Sequence, residues 1–106
     1  MKKGSTMVKH IILWKLRSEL SESEKIEVKK NAKEALEALV GKVPGLLFVQ
    51  VNIEGLQSSN ADMMLDTTLE SEEALKNYQS HPDHVYVANT FVRPFTETRM
   101  CLDYEE

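Results

Sequence analysis

Two histidines, His81 and His84, and a tyrosine, Tyr78, stand close together in one short stretch, "NYQSHPDHVYV" (77–87), with Asp83 and Tyr86 beside them. The third histidine, His10, stands far away in the N-terminal segment "MVKHIILWKL" (7–16). Two chemistries suit these types. A histidine that titrates near neutrality can take a proton from a carbon next to a carbonyl and return it. A phenol such as Tyr78 can donate a hydrogen bond to the enolate that forms, and His10 can orient or polarise the carbonyl. The second chemistry is a metal clip built from His81 and His84, with His10 or Asp83 as a further ligand. Zinc takes three or four ligands, and a turn started by Pro82 directs the two nearby histidines apart, so no metal site is expected. A third role is purely structural. His81 precedes a proline, which pushes it out of the helical region, and it is placed to end one helix and cap the next.

The elements that must position these residues are legible from periodicity. In 7–16 both parities are largely apolar, Ile11 and Leu13 on one side, His10, Ile12 and Trp14 on the other, so this strand reads as central and covered on both faces. Residues 20–45 read as the clearest helix, opened by a Ser21/Glu24 capping box and carrying an apolar stripe of Ile26, Ala32, Ala35, Leu36, Leu39 and Val40. Gly41 then Pro44-Gly45 end it. Residues 46–54 alternate, with Leu47, Val49, Val51 and Ile53 on one face; 62–70 alternate with Met63, Leu65, Thr67 and Leu69 on one face. The two make a hairpin with a loose connection. Ser71 caps a second helix with Ala74, Leu75 and Tyr78 on its buried side, ending near His81. Pro82 opens a short insert helix anchored by Val85, Val87 and Ala88, which Arg93-Pro94 breaks. Residues 95–104 form the last strand, with Thr98, Met100, Leu102 and Tyr104 on one face.

This order is βαββαβ, the split βαβ arrangement of a ferredoxin-like α+β fold with an antiparallel four-stranded sheet. Its helices cover one sheet face. The apolar second face of the first strand predicts that two subunits pair sheet to sheet through a two-fold interface, making a homodimer.

Composition narrows the partners. The chain has 106 residues, one domain's worth, with 42% hydrophobic and 28% charged residues. A formal net charge of −4, from 13 basic and 17 acidic residues, and the lack of a basic stripe speak against nucleic acid. No apolar run approaches the ~20 residues that span a bilayer, so no membrane partner is expected. The one cysteine, Cys101, allows no intrachain disulfide and fits a reducing, cytoplasmic setting. It shares a strand face with Glu97, Arg99 and Asp103, which exposes it or places it at the subunit interface; no histidine lies near it in sequence to activate it. Residues 1–6 read as an N-terminal extension or cloning remnant, and 7–106 as the domain.

"MVKHIILWKL" as the opening strand, "VPGL" before the second strand, "YQSHPDH" after the second helix and "LDYE" near the C-terminus resemble the dimeric α/β-barrel (Dabb) family, the stress-responsive A/B barrel domain. The resemblance covers 7–105. It implies a ferredoxin-like subunit, a shared barrel in the dimer and, as in a plant member that acts as a polyketide cyclase, an aldol ring closure without cofactor. By that resemblance Tyr78 and His84 are the catalytic candidates and His10 lines the same pocket. Ile12, Trp14 and His81 are the candidate ligand contacts, and the ligand is a small hydrophobic or aromatic carbonyl or phenolic compound. Two other roles stand beside this one: a non-catalytic, stress-associated structural dimer, and a metal-binding barrel.

Overall fold

The structure is a computed structural model and describes residues 6–106. The extension expected over 1–6 lies outside the described residues except for Thr6. The elements run β1 (Val8–Leu16), α1 (Glu22–Glu37), β2 (Leu46–Asn52), β3 (Met63–Leu69), α2 (Glu72–Ser80), α3 (Pro82–Val87) and β4 (Thr96–Glu105). All strand pairs are antiparallel, and the sheet order is β2-β3-β1-β4. This is the expected ferredoxin-like fold, with β1 inside the sheet.

The capping box at the start of α1 is present in both directions: Glu24 N–H donates to Ser21 Oγ (3.1 Å) and Ser21 N–H to Glu24 Oε1 (2.8 Å). The helix is shorter than its sequence pattern. It stops at Glu37, and a series of turns leads from Ala38 to Gly45. Its buried face is Val28, Ala32 and Leu36, while Ile26 is 67% exposed. At 100° per residue Ile26 lies about 200° from Val28, on the solvent side. Val40 falls in the turns after the helix, where no helical face exists to bury it, and is exposed.

Strand β2 also departs from simple alternation. Its pairing with β3 slips between Leu46 and Phe48, a bulge that turns Leu46 inward and leaves Leu47 exposed. Beyond the bulge Val49 and Val51 face the core as expected. Gly45 sets this junction. Its φ is +82°, and a Cβ there would lie 2.7 Å from Ala74 Cβ, so only glycine lets the start of β2 pass this close to α2.

Helix α1 seals the outer edge of β2. Val51 N–H donates to Glu37 Oε2 (2.9 Å), and Lys33 Nζ donates to Val51 O (2.8 Å) and to the same Glu37 oxygen (2.8 Å). Two backbone groups of an edge strand are thus occupied by side chains. Burial works to raise the Glu37 carboxyl, but the Lys33 ammonium and the Val51 N–H outweigh it and hold it below its ordinary value.

The chain after α3 stays helical for longer than the Arg93-Pro94 pair suggests. A π-helical turn covers Ala88–Val92 and a 3₁₀ turn Arg93–Phe95. Pro94 stands in the first turn of the latter, where its missing N–H has no helical partner to lose.

The helices cover one face of the sheet. There Val8, His10, Ile12, Trp14 and Leu16 of β1 are all buried. On the opposite face Ile11 pairs with Leu102 and Leu13 with Met100. Leu13, Met100 and Leu102 are 39%, 65% and 63% exposed, and Phe48 and Tyr104 add to the same uncovered apolar surface.

Candidate functional site

Pairing across the sheet brings distant residues into one row on the helix-covered face: Val49, Thr67, His10 and Asp103, in the order of the four strands. His10 is therefore buried between β3 and β4 and meets Asp103 directly, Nδ1 to Oδ1 at 2.5 Å. A carboxylate accepts, so Nδ1 carries the proton and Nε2 is left without a protein partner among the described residues.

Helix α2 brings Tyr78 over this row because its buried face repeats as Ala74, Leu75 and Tyr78. The Tyr78 ring stands edge-on to His10 (centroids 6.1 Å, interplanar angle 77°) and lies 4.3 Å from the ring of His84. It is fully buried, its hydroxyl has no hydrogen-bond partner among the described residues, and burial raises its pKa. Thr67 Oγ1, in the His10 row, is likewise buried without a partner among the described residues.

His84 stands in the first turn of α3. Its Nδ1 lies 3.3 Å from the carbonyl oxygen of Gln79. A carbonyl only accepts, so Nδ1–H donates and Nε2 holds the basic lone pair. Burial depresses its pKa, the Gln79 bond opposes that, and the positive charges of Arg93 and Arg99 add to the depression. His84 is thus a neutral imidazole at pH 7 with a fixed tautomer.

His10 and His84 both open on a cavity of about 390 Å³ between the sheet and the helical layer. Ile12 and Trp14 form part of its wall, together with Leu36 and Leu65. Trp14 lines the cavity without filling it. Tyr78 is packed behind the two histidines and contributes none of the wall. His81 is not brought to the cavity. Its Nδ1 accepts the Asp83 N–H (3.1 Å), capping α3, so its ring is committed to the helix junction.

Four polar residues of this neighbourhood do not stand out in the sequence: Gln79, Arg93 and Arg99 on the cavity wall, and Asp103 behind His10. Their signal was strand parity. Arg99, Cys101 and Asp103 pair with Trp14, Ile12 and His10 and so face the helices. Cys101 consequently does have a histidine beside it, across the strand pair: its Sγ lies 3.9 Å from His10 Nδ1 and 3.4 Å from Asp103 Oδ1. Burial and the neighbouring Asp103 push its thiol pKa up, which keeps it protonated and a weak nucleophile. His10, Cys101 and Asp103 are the one cluster of metal-ligand types among the described residues. Two ligands of a tetrahedral zinc at ~2.0–2.2 Å stand about 3.3 Å apart. Nδ1 and Oδ1, at 2.5 Å, stand closer than that and are a hydrogen-bonded pair.

Residues 8–106 match the sequence profile of the stress responsive A/B barrel domain. The chain belongs to this family. It is 29% identical over 100 residues to olivetolic acid cyclase of Cannabis sativa, covering 92% of this chain and 94% of that protein. A dimeric protein of unknown function and ferredoxin-like fold from Bacteroides fragilis superposes with a TM-score of 0.88 at 33% identity, covering 94% of this chain and 96% of the other. Hydroxynitrile lyase from Passiflora edulis shares the fold with a TM-score of 0.75 at 18% identity, over 97% of this chain and 95% of that one.

Proposed function

We propose that this protein is a cytoplasmic homodimer that binds a small carbonyl or phenolic compound in the cavity of each subunit and acts on it by cofactor-free acid–base chemistry. The observation that carries this reading is the state of His84. Its Nδ1–H is held by the Gln79 carbonyl, burial keeps it uncharged, and its ring lies on a cavity large enough for a small ligand. In this reading His84 Nε2 takes a proton from the carbon next to a carbonyl. The electron pair moves onto the carbonyl oxygen, and the N–H donors of the cavity wall, those of Gln79, Arg93 and Arg99, stabilise the enolate. Tyr78 acts through His84 as a positioning residue, since its ring packs the imidazole from behind. The cyclase among the relatives supports carbonyl chemistry, and the lyase shows that the fold is compatible with catalysis of another kind.

Titration with aromatic ketones and phenols, followed through the histidine ring signals by NMR, tests the reading. Shifts of both His10 and His84 are expected. If no such compound moves either histidine, the reading is lost.

A second reading, a structural dimer without turnover, is favoured by the uncovered face of Leu13, Met100 and Leu102. Under it the dimer forms and His84→Ala binds, or fails to bind, the same compounds as the unaltered protein.

A further inference from the structure

We propose that the cavity selects a carboxylate-bearing ligand, an aromatic or β-keto acid, whose carboxylate is taken by Arg93 and Arg99 while its apolar body lies against Trp14 and Leu65. This rests on reading the cavity as a small-molecule site.

The chain carries a net charge of −4, yet the fully charged side chains on the cavity wall are both arginines, and no Asp or Glu joins them there. They arrive from different layers. Arg99 projects from the helix-covered face of β4, opposite Trp14, and Arg93 from the 3₁₀ turn that precedes β4. Among the described residues neither has a carboxylate within ion-pair distance. Arg93 is nonetheless tethered, since its Nη1 donates to Asn89 Oδ1 at 2.6 Å. Two guanidinium groups beside one partly enclosed space repel each other, and an anion between them turns that repulsion into attraction. The guanidinium fork matches a planar carboxylate through paired N–H donors, better than it matches a neutral carbonyl. The apolar part of the wall is made by Ile12, Leu36, Leu65 and Val92 with Trp14, and Gln79, Thr96 and the two histidines add polar groups to it. Both arginines and His84 line the same cavity, so an anion seated on the arginines shares that space with the base.

Salicylate and its uncharged analogue 2-hydroxyacetophenone separate the two layers of the proposal. Each is titrated into the unaltered protein and into R93Q, R99Q, R99K and the R93Q/R99Q double variant, with circular dichroism confirming the fold. Salicylate is expected to shift the His84 ring signal and to bind at least tenfold more weakly to the double variant. R99K should recover part of that loss, and binding of the ketone should be unchanged throughout. If both compounds shift His84 equally and the variants do not discriminate between them, the anion proposal falls and the small-molecule site stands. If neither moves His10 or His84 in any variant, both fall. Inorganic phosphate that displaces salicylate completely, with the same affinity, points to a bare anion site and overturns the carboxylate assignment.

Discussion

His10 and Asp103 are 93 positions apart in sequence and bond at 2.5 Å because β1 and β4 pair antiparallel with these residues opposite each other. The carboxylate fixes which nitrogen of His10 is protonated and so aims the other one. Asp103→Asn offers an amide in place of the carboxylate. It should weaken the contact by about 1 kcal/mol, a figure held down because the carboxylate is partly open to solvent. It should also redistribute the His10 tautomers, visible in the imidazole ¹⁵N shifts. An unchanged tautomer ratio would show that the sheet rather than Asp103 orients the ring.

Tyr78 presents the opposite case, a buried hydroxyl without a partner among the described residues. A buried group left unsatisfied costs about 1–3 kcal/mol. Tyr78→Phe should therefore leave denaturant stability unchanged or raise it by about 1 kcal/mol. Tyr78→Ala, which removes a fully buried ring, should cost about 3–5 kcal/mol. A loss above about 1 kcal/mol in the Phe variant would mean that the hydroxyl has a partner in solution, such as a buried water.

These two residues also mark the limit of what the sequence discloses. The element order, the inside position of β1, the Ser21 and Ser71 caps and the break at His81-Pro82 all follow from local chemistry, and local chemistry is written along the chain. His10, Tyr78 and His84 stand out by type, and the fold brings them together. Arg99 and Asp103 do not stand out, because their role depends on the β1–β4 register, which couples residues some 85 to 93 positions apart. The overextended first helix has the same origin. Ala38, Leu39 and Val40 continue the helical apolar spacing past residue 37, but the chain must turn there to deliver Leu39 and Val43 to the core and Leu46 to the sheet. The bulge at Leu46–Phe48 inverted one predicted face position, because two adjacent leucines give no parity signal.

The depressed pKa of His84 has a definite consequence for stability. In the unfolded chain its pKa is about 6.5, and in the folded protein it is lower. Between those two values the unfolded chain holds the extra proton, so stability rises with pH. The contribution is complete above about pH 6.5 and is lost as pH falls through the folded pKa. Thermal unfolding of the unaltered protein should weaken as pH drops below about 6.5, and His84→Gln should flatten that part of the profile. Identical profiles for the two proteins would mean that His84 titrates normally.

The open sheet face supports the last prediction. Leu13 and Met100 face each other across β1 and β4, and Ile11 and Leu102 do so one row further along. Lys9 closes the far end of this patch, paired with Asp66 at 2.7 Å and with its Nζ 5.5 Å from the centre of the Phe48 ring. Apolar side chains on a flat, paired surface are the kind of face that a second copy can bury, and an obligate interface buries on the order of 2,000 Å² or more. Light scattering at micromolar concentration should give twice the chain mass. A charge within the apolar rows of the patch, as in Leu13→Asp, must be desolvated on association, and a two-fold interface introduces it twice. That variant should be monomeric or shift the dimer dissociation constant upward by at least a hundredfold. Lys15→Asp, on the same strand face but at the polar end beyond Leu13, should leave the mass at that of the dimer. A monomeric unaltered protein, or an L13D variant that still dimerises with unaltered affinity, would remove this face as the interface.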